Sequence, residues 1–291
     1  IIVEFKIIFI NKSSKISSDF LVASCLFGNK FSVLHPAIPY CRNILFSNNL
    51  GLRREAIKKG WEFKFVKRFS PISEDFLESR LQGKYTKFLQ FLEDFPELKS
   101  YEYIAHIDHK NVISYEEIMR LKSLFLPNKK IFMISSSCNI LNGLNNACNT
   151  FESYRFSEFK TREWIQKQVN LGVAKWEGEE YATSFIMYKN YQSILPFLKE
   201  VYDTIFLLKQ PYCQAIWAVM IQSKLEHINL QSIHWTETNM YRKTPLPFIK
   251  DRIRALRRVL NIILSPIIYF LGLDYEEFRR KYILKIFGSS I

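Results

Sequence analysis

Asp108, His109 and Lys110 close a short strand-like run, Tyr103 to Ile107, and residues of these types at such a place can do chemistry. In an open α/β sheet, ligands gather at the carboxyl ends of the strands. A carboxylate there can hold a metal ion or orient a sugar, and nearby cations can neutralise phosphate. The plainer reading is that Asp108 only caps the next element by accepting from its backbone. Two further sets give the sharper reading its content. Asn48 and Asn49 end an apolar run over 43–47, and Arg80, Lys84 and Lys87 share one face if 70–91 is helical. Polar groups for base and ribose, cations for a diphosphate, and a carboxylate for Mg2+, Mn2+ or the sugar are what a nucleotide-sugar site needs. For the basic face taken by itself, a solvated stripe is the plain alternative.

These residues need elements to position them. Residues 2–10, 43–47 and 62–67 read as strands. Ser70-Pro71 followed by Glu74 and Asp75 signals a helix start, with the helix running to about Phe91. Leu77, Leu81, Phe88 and Leu92 would form its apolar face. A helix over 115–125 and a strand over 130–135 follow the Asp108 strand. Residues 138–157 read as a polar loop and 158–170 as a helix. A strand over 182–188 and helices over 194–208 and 213–224 complete the pattern. Alternation of this kind predicts a three-layer, Rossmann-like α/β domain with a mostly parallel central sheet. It would span 1–245, with a basic and apolar helical extension over 246–291.

Composition bounds the partners. The 291 residues are 48% apolar, enough for a substantial core, and Gly is too scarce, at 9, for a glycine-rich phosphate loop. Neither a Walker pattern nor GxGxxG is present. A formal charge of +13 implies an anionic partner: phosphate-bearing small molecules, an anionic membrane surface or nucleic acid. Five cysteines without a CxxC pair point to reduced thiols in a cytosolic setting rather than a zinc site or a disulfide framework. No N-terminal secretory signal is evident, and 2–10 is too short to span a bilayer.

Over 250–291, Lys250, Arg252, Arg254, Arg257 and Arg258 precede an apolar run over 259–273, and Arg279, Arg280, Lys281 and Lys285 follow it. A spanning helix needs about 20 residues, so this tail suits in-plane docking on an anionic leaflet. Helices packing on the domain or on a second subunit are the alternative.

The order of short motifs over 20–225 resembles a glycosyltransferase-like family, formerly a domain of unknown function. That family is tied to plant mucilage and pectin synthesis and has bacterial members near surface-polysaccharide genes. ILFSNN (44–49) is similar to its strand ending in Thr-Asp-Asn, and Trp61 in GWEFKFV to its following tryptophan. SRLQGKYTKF, with Arg80 and Lys87, resembles its Arg…Lys helix. Ile107-Asp108-His109-Lys110 resembles its Ile-Asp-Gly-Lys strand end. GEEYATSFIMYKN (178–190) is similar to a later Glu-containing segment, and Gln214 to the second residue of an Asp-Gln pair. The chain departs from the pattern at Ser47, at His109 in place of Gly, and at Cys213 in place of the Asp of that pair.

The resemblance implies a GT-A-type fold and transfer of a sugar from a nucleotide-sugar, a UDP-sugar being favoured, to a polysaccharide or glycolipid acceptor. Surface-polysaccharide or lipopolysaccharide assembly is the implied setting, cytoplasmic and peripheral at the membrane. It implies Mn2+ or Mg2+ at Asp108, although Lys110 stands where a second acid would be and could replace part of the metal's charge. On this reading Asp108 holds the metal or the sugar, and Arg80, Lys84 and Lys87 neutralise phosphate. Asn48, Asn49, Lys110 and Gln214 help to bind the donor. Glu179 or Glu180 is the general base if the reaction inverts, whereas a retaining reaction needs no such base; a solvent-exposed loop pair is the plain alternative. Two other functions fit the same residues. Asp108-x-Lys110 has the form of half a metal-dependent nuclease core, which needs a second acid such as Asp94, Glu97 or Glu102. A basic, membrane-peripheral binding protein without catalysis is the other. Nucleic-acid-binding spacings are absent, so nucleic acid is not the expected partner.

Overall fold

The structure is a computed structural model that describes residues 19–29, 34–155 and 157–242. Its central strand is Phe20–Cys25 (β1), in which every residue is buried. Phe20 and Val22 enter one core, while Leu21, Ala23 and Cys25 enter the other. A strand covered on both faces is a continuous apolar run rather than an alternating one. Further strands are Arg42–Ser47 (β2), Glu62–Phe65 (β3), Tyr103–Ile107 (β4), the short Asn111–Val112 (β5), Ile131–Asn139 (β6), Glu179–Lys189 (β7), Leu230–His234 (β8) and the two-residue Tyr241–Arg242 (β9). The main sheet has seven strands in the order β3-β2-β1-β4-β7-β6-β8. All run parallel except β7, which is antiparallel to both neighbours. Its first residues therefore lie at the carboxyl ends of the others.

Helices cover both faces, giving the three-layer α/β architecture that the alternation predicts. Arg53–Lys58 (α1) and Tyr115–Leu124 (α5) close one core through Ala56, Ile118 and Leu121. Ser114 caps α5 by accepting from the Glu117 N–H. The other core is closed by Phe76–Gln82 (α2), Lys84–Lys87 (α3), Phe91–Asp94 (α4), Leu195–Leu208 (α9) and Cys213–Ile228 (α10). Between them in sequence are Ile140–Thr150 (α6), Glu152–Arg155 (α7) and Glu158–Asn170 (α8). Helices α6 and α8 pack with α10 around Ile140, Leu144, Ile165 and Val219.

The structure departs from the sequence pattern in three places. The helix expected from Ser70 to Phe91 is three short helices beginning at Phe76, where Asp75 accepts from the Leu77 N–H. Gly83 and Leu89 interrupt it, Leu89 in the left-handed region at φ 54°. Residues 140–150 are helical rather than a loop because Ile140, Gly143, Leu144, Ala147 and Cys148 make one buried face at helical spacing. Strand β7 begins at Glu179, so Glu179 and Glu180 lie on a strand and not in a loop. The central strand β1 and the edge strand β8 carry no clear alternation in sequence and become legible only through their pairing. The expected strand over 2–10 and the tail over 246–291 lie outside the described residues. By its contacts the chain divides into two units, Ile1–Tyr241 and Arg242–Ile291.

Candidate functional site

The carboxyl ends of β1 and β4 lie side by side, with Ala23 in register with His106. Ser24 Oγ donates to the Ile107 carbonyl (2.7 Å) and fixes the two ends together. Cys25, the last residue of β1, anchors the α2–α3 turn. Its Sγ donates to the Gly83 carbonyl (3.3 Å), and Thr86 Oγ1 donates to Sγ (3.0 Å). Burial pushes the Cys25 thiol up to about 11, so it stays neutral at physiological pH. The Lys87 carbonyl also accepts from the Tyr188 hydroxyl. These bonds hold one turn of helix against the sheet and turn Lys84 and Lys87 inward, where both are buried. The solvated basic stripe that the spacing allows is therefore not what forms.

Lys87 Nζ lies 2.9 Å from Asp108 Oδ1. His106 Nε2 lies 3.2 Å from the same oxygen. Both contacts fall on one oxygen of a carboxylate that is 30% exposed, so Asp108 is the open rim of a buried cluster. Burial would raise the Asp108 carboxyl, but the Lys87 ammonium and the His106 hydrogen bond hold it well below the usual carboxylate range. Burial likewise pulls Lys87 down, and Asp108 outweighs it, so the ammonium is raised. Lys84 is lowered by burial; among the described residues no carboxylate lies within ion-pair distance of it. Burial lowers His106 to about 4, so the ring is neutral and the proton that bridges to Asp108 sits on Nε2. Its Nδ1, together with His109 Nε2 and Asn111 Oδ1, is buried without a hydrogen-bond partner among the described residues. Buried polar atoms are rarely left so; water or a ligand commonly meets them.

A second acidic group stands on the reversed strand. Glu180 is buried and its Oε1 accepts from the Tyr212 hydroxyl (2.6 Å). Burial raises its carboxyl from 4.5 to about 7, partly opposed by that hydrogen bond. Tyr212 is held by its own loop. Its N–H donates to Gln210 Oε1 (3.0 Å), and Gln210 Nε2 donates to Thr161 Oγ1 (3.2 Å). Aromatic rings connect this acid to Arg80. Tyr212 stacks on Tyr154 at 5.9 Å between centroids, and Arg80 lies over Tyr154 at 5.1 Å and over Phe151 at 5.3 Å. Burial lowers Arg80, with Tyr154 opposing. Thr183 and Cys213, whose Oγ1 and Sγ are 3.3 Å apart, lie on the elements that carry Glu180 and Tyr212.

Of the residues singled out in the sequence, the fold thus gathers Lys84, Lys87 and Asp108 into one cluster. Arg80 and Glu180 are linked to each other through Tyr154 and Tyr212. The others have local roles. Asn48 Oδ1 accepts from the Gly28 N–H (3.0 Å), and its Nδ2 donates to the Phe69 carbonyl (2.7 Å). Asn49 Nδ2 donates to the Gly28 carbonyl (3.1 Å), and its Oδ1 accepts from the Gly51 N–H (2.9 Å). Both amides thus tie the loops after β1 and β2. Glu179 is exposed and accepts from the Ser135 hydroxyl. Gln214 Nε2 donates to the Tyr181 carbonyl (3.1 Å). Lys110 is exposed on the turn after β4. Sequence reasoning passed over His106, Tyr154 and Tyr212. His106 could have been suspected as the polar residue in the buried YIAHI strand.

The residues around Asp108 fit Mn2+ or Mg2+ poorly: such ions take oxygen ligands, Mg2+ commonly one or two carboxylates together with substrate phosphates and waters. Here one carboxylate is present, and its Oδ1 already meets an ammonium and an imidazole N–H. Among the described residues there is no group of three or more His, Cys, Asp or Glu able to hold a metal ion. The same geometry weakens the nuclease alternative. Asp94 pairs with Arg68 (3.1 Å) and Glu97 with Lys64 (3.4 Å), while Glu102 precedes β4 at the end opposite Asp108. A shallow hollow lined by Leu89, Glu93, Lys99, Pro196 and Lys199 includes neither Asp108 nor the two buried lysines.

No protein-family model matches the chain, and no curated protein sequence matches it. Solved structures are similar to it in fold. Mouse xyloside xylosyltransferase 1 in its apo form has 11% identity and a TM-score of 0.38, covering 74% of this chain and 84% of that one. The mannosyltransferase Ktr4p from S. cerevisiae has 7% identity and a TM-score of 0.40, covering 80% and 72%. A CMP:2-keto-3-deoxy-manno-octonic acid synthetase complexed with CTP has 7% identity and a TM-score of 0.39, covering 82% and 97%. At such values the likeness says nothing about activity.

Proposed function

We propose that this chain is a GT-A-type glycosyltransferase that binds a nucleotide-sugar at the Asp108 cluster and passes the sugar to a carbohydrate or glycolipid hydroxyl. The observation that carries the reading is two buried lysines, Lys84 and Lys87, set against one carboxylate, Asp108, at the carboxyl end of a mostly parallel sheet. Such a site has surplus positive charge in a poorly solvated place, and a diphosphate fits both properties. A developing diphosphate leaving group would be stabilised there by charge already in position. Asp108, with Oδ1 held by Lys87 and His106, keeps Oδ2 for a sugar hydroxyl. Glu180, with a carboxyl near 7 and a fixed Tyr212 partner, is suited to take the proton of the acceptor hydroxyl. Arg80 with Tyr154 and Phe151 offers a cationic and aromatic wall for base or sugar.

Thermal-shift titration with UDP, GDP, CMP and their sugars tests this reading, because a ligand that binds only the native state raises its melting temperature. A shift with one nucleotide class that is lost in Lys87→Met supports it and names the donor class. A cooperative melt that no nucleotide moves would sink it. Docking of the basic tail over 246–291 on the inner leaflet belongs to the same proposal, as does the setting in surface-polysaccharide or glycolipid assembly. Transfer activity separates the reading from a basic binding protein. A chain that binds nucleotide but neither transfers nor hydrolyses the sugar, and whose binding is unaffected in Glu180→Gln, would be the binding protein.

A further inference from the structure

Resting on the reading of this cleft as a diphosphate site, we infer that it binds the diphosphate without a divalent cation. Lys84 and Lys87 supply the positive charge that a metal ion would otherwise bring. The Lys87 ammonium, 2.9 Å from Asp108 Oδ1, sits where a cation on that carboxylate would sit. A divalent ion placed on the same oxygen would meet like charge at contact distance. His106 Nε2 also faces this oxygen, at 3.2 Å, so the oxygen already has two partners. No second carboxylate stands beside it among the described residues, and Lys110 occupies the next alternate position after Asp108.

Lys84 gives the positive side of the argument. It is buried on the same turn of helix as Lys87, and no carboxylate lies within ion-pair distance among the described residues. A buried lysine without a counter-ion is held toward its neutral form, and an arriving phosphate supplies the partner that favours its charge. Asp108 then serves to orient Lys87, and toward a phosphate its own charge is repulsive. This reverses the effect expected of its removal. In a metal-dependent site, loss of the aspartate abolishes diphosphate binding, whereas here binding survives or tightens.

The test uses the full chain. Melting and calorimetric titration with inorganic pyrophosphate, UDP and GDP are run in excess EDTA, then with Mg2+ in its place. The expected result is equal thermal shifts in both conditions. Lys84→Met and Lys87→Met should each weaken pyrophosphate binding about tenfold or more, the worth of one charge-assisted hydrogen bond. Asp108→Asn should bind pyrophosphate as well as the parent or better. A shift that requires Mg2+ and vanishes in Asp108→Asn overturns the inference and leaves the nucleotide-sugar reading standing. Pyrophosphate binding in EDTA without any nucleotide shift supports the inference and removes the nucleotide reading. No shift with any of the three overturns both. The EDTA comparison needs no variant, so it stands even if a substituted chain does not fold.

Discussion

At the scale of single residues, Glu180 and Lys84 are charged groups that the fold places where charge is disfavoured. Burial raises the Glu180 carboxyl from 4.5 to about 7, so folding favours its neutral form. The sign of the pH effect follows: this group lowers stability progressively as pH rises from 4.5 through 7, by on the order of 3 kcal/mol in full. Glu180→Gln keeps an acceptor for Tyr212 and removes that penalty. Its melting temperature should equal the parent's near pH 5 and exceed it at pH 8, while transfer falls by roughly 10²–10⁴-fold. Scanning calorimetry at the two pH values and initial rates check this; equal rates would remove Glu180 as the base. Lys84→Met replaces a buried ammonium by an apolar chain of similar length. The expected urea midpoint is unchanged or higher, with diphosphate binding weakened about tenfold or more. His106 and His109, both lowered to about 4 by burial, act in the other direction. The fold keeps them neutral, so stability is complete above about 6.5 and lost as pH falls toward 4. Urea melts at pH 7 and pH 5 should show the drop.

At the scale of elements, the site depends on how short pieces are pinned. One turn of helix, α3, would not persist by itself, since isolated helices need about 12–15 residues to be even marginal. Cys25, Thr86 and Tyr188 hold it in place through Gly83, Sγ and the Lys87 carbonyl. Helix α6 approaches β7 so closely at Gly143 that an added Cβ would clash with both Glu180 carboxylate oxygens. Gly143→Ala should therefore displace Glu180 from Tyr212, costing roughly 1–3 kcal/mol by overpacking, and activity should fall with it. A chemical-denaturation series paired with rates checks this; full stability and full activity would show that Glu180 yields freely. The break of the expected 70–91 helix belongs to this scale too. Ser70-Pro71 carries the signal for a start, but Asp75 makes the cap. Lys84 and Lys87 keep helical spacing on a piece of chain that has been turned by Gly83.

At the scale of the whole molecule, the formal charge of +13 makes anion binding steeply dependent on salt. The basic tail gives this a specific form. Full-length protein should co-sediment with vesicles containing anionic lipid at low salt and be released by high salt, and Arg257→Glu with Arg258→Glu should reduce the bound fraction. Binding to neutral vesicles of equal strength would point to an apolar rather than an electrostatic association.

What the sequence determined by itself is the layered α/β class and the position of Asp108 at a strand end. Both follow from local periodicity: buried runs bounded by polar breaks in the first case, and a carboxylate next to such a break in the second. It also named Lys84, Lys87 and Glu180. Only the tertiary structure decided what these residues meet. A spacing of three fixes a shared face but not which way that face turns, and here the bonds of Cys25 and Thr86 turned it inward. Asn48 and Asn49 show the converse. Their place at a strand end suited a ligand, and distant partners at Gly28 and Phe69 took up their amides instead. Tyr212 and Gly143 were silent in the sequence because their roles exist only where three separated segments converge on one carboxylate. Contacts between distant segments set the burial and charge of a site, and a one-dimensional pattern carries no record of them.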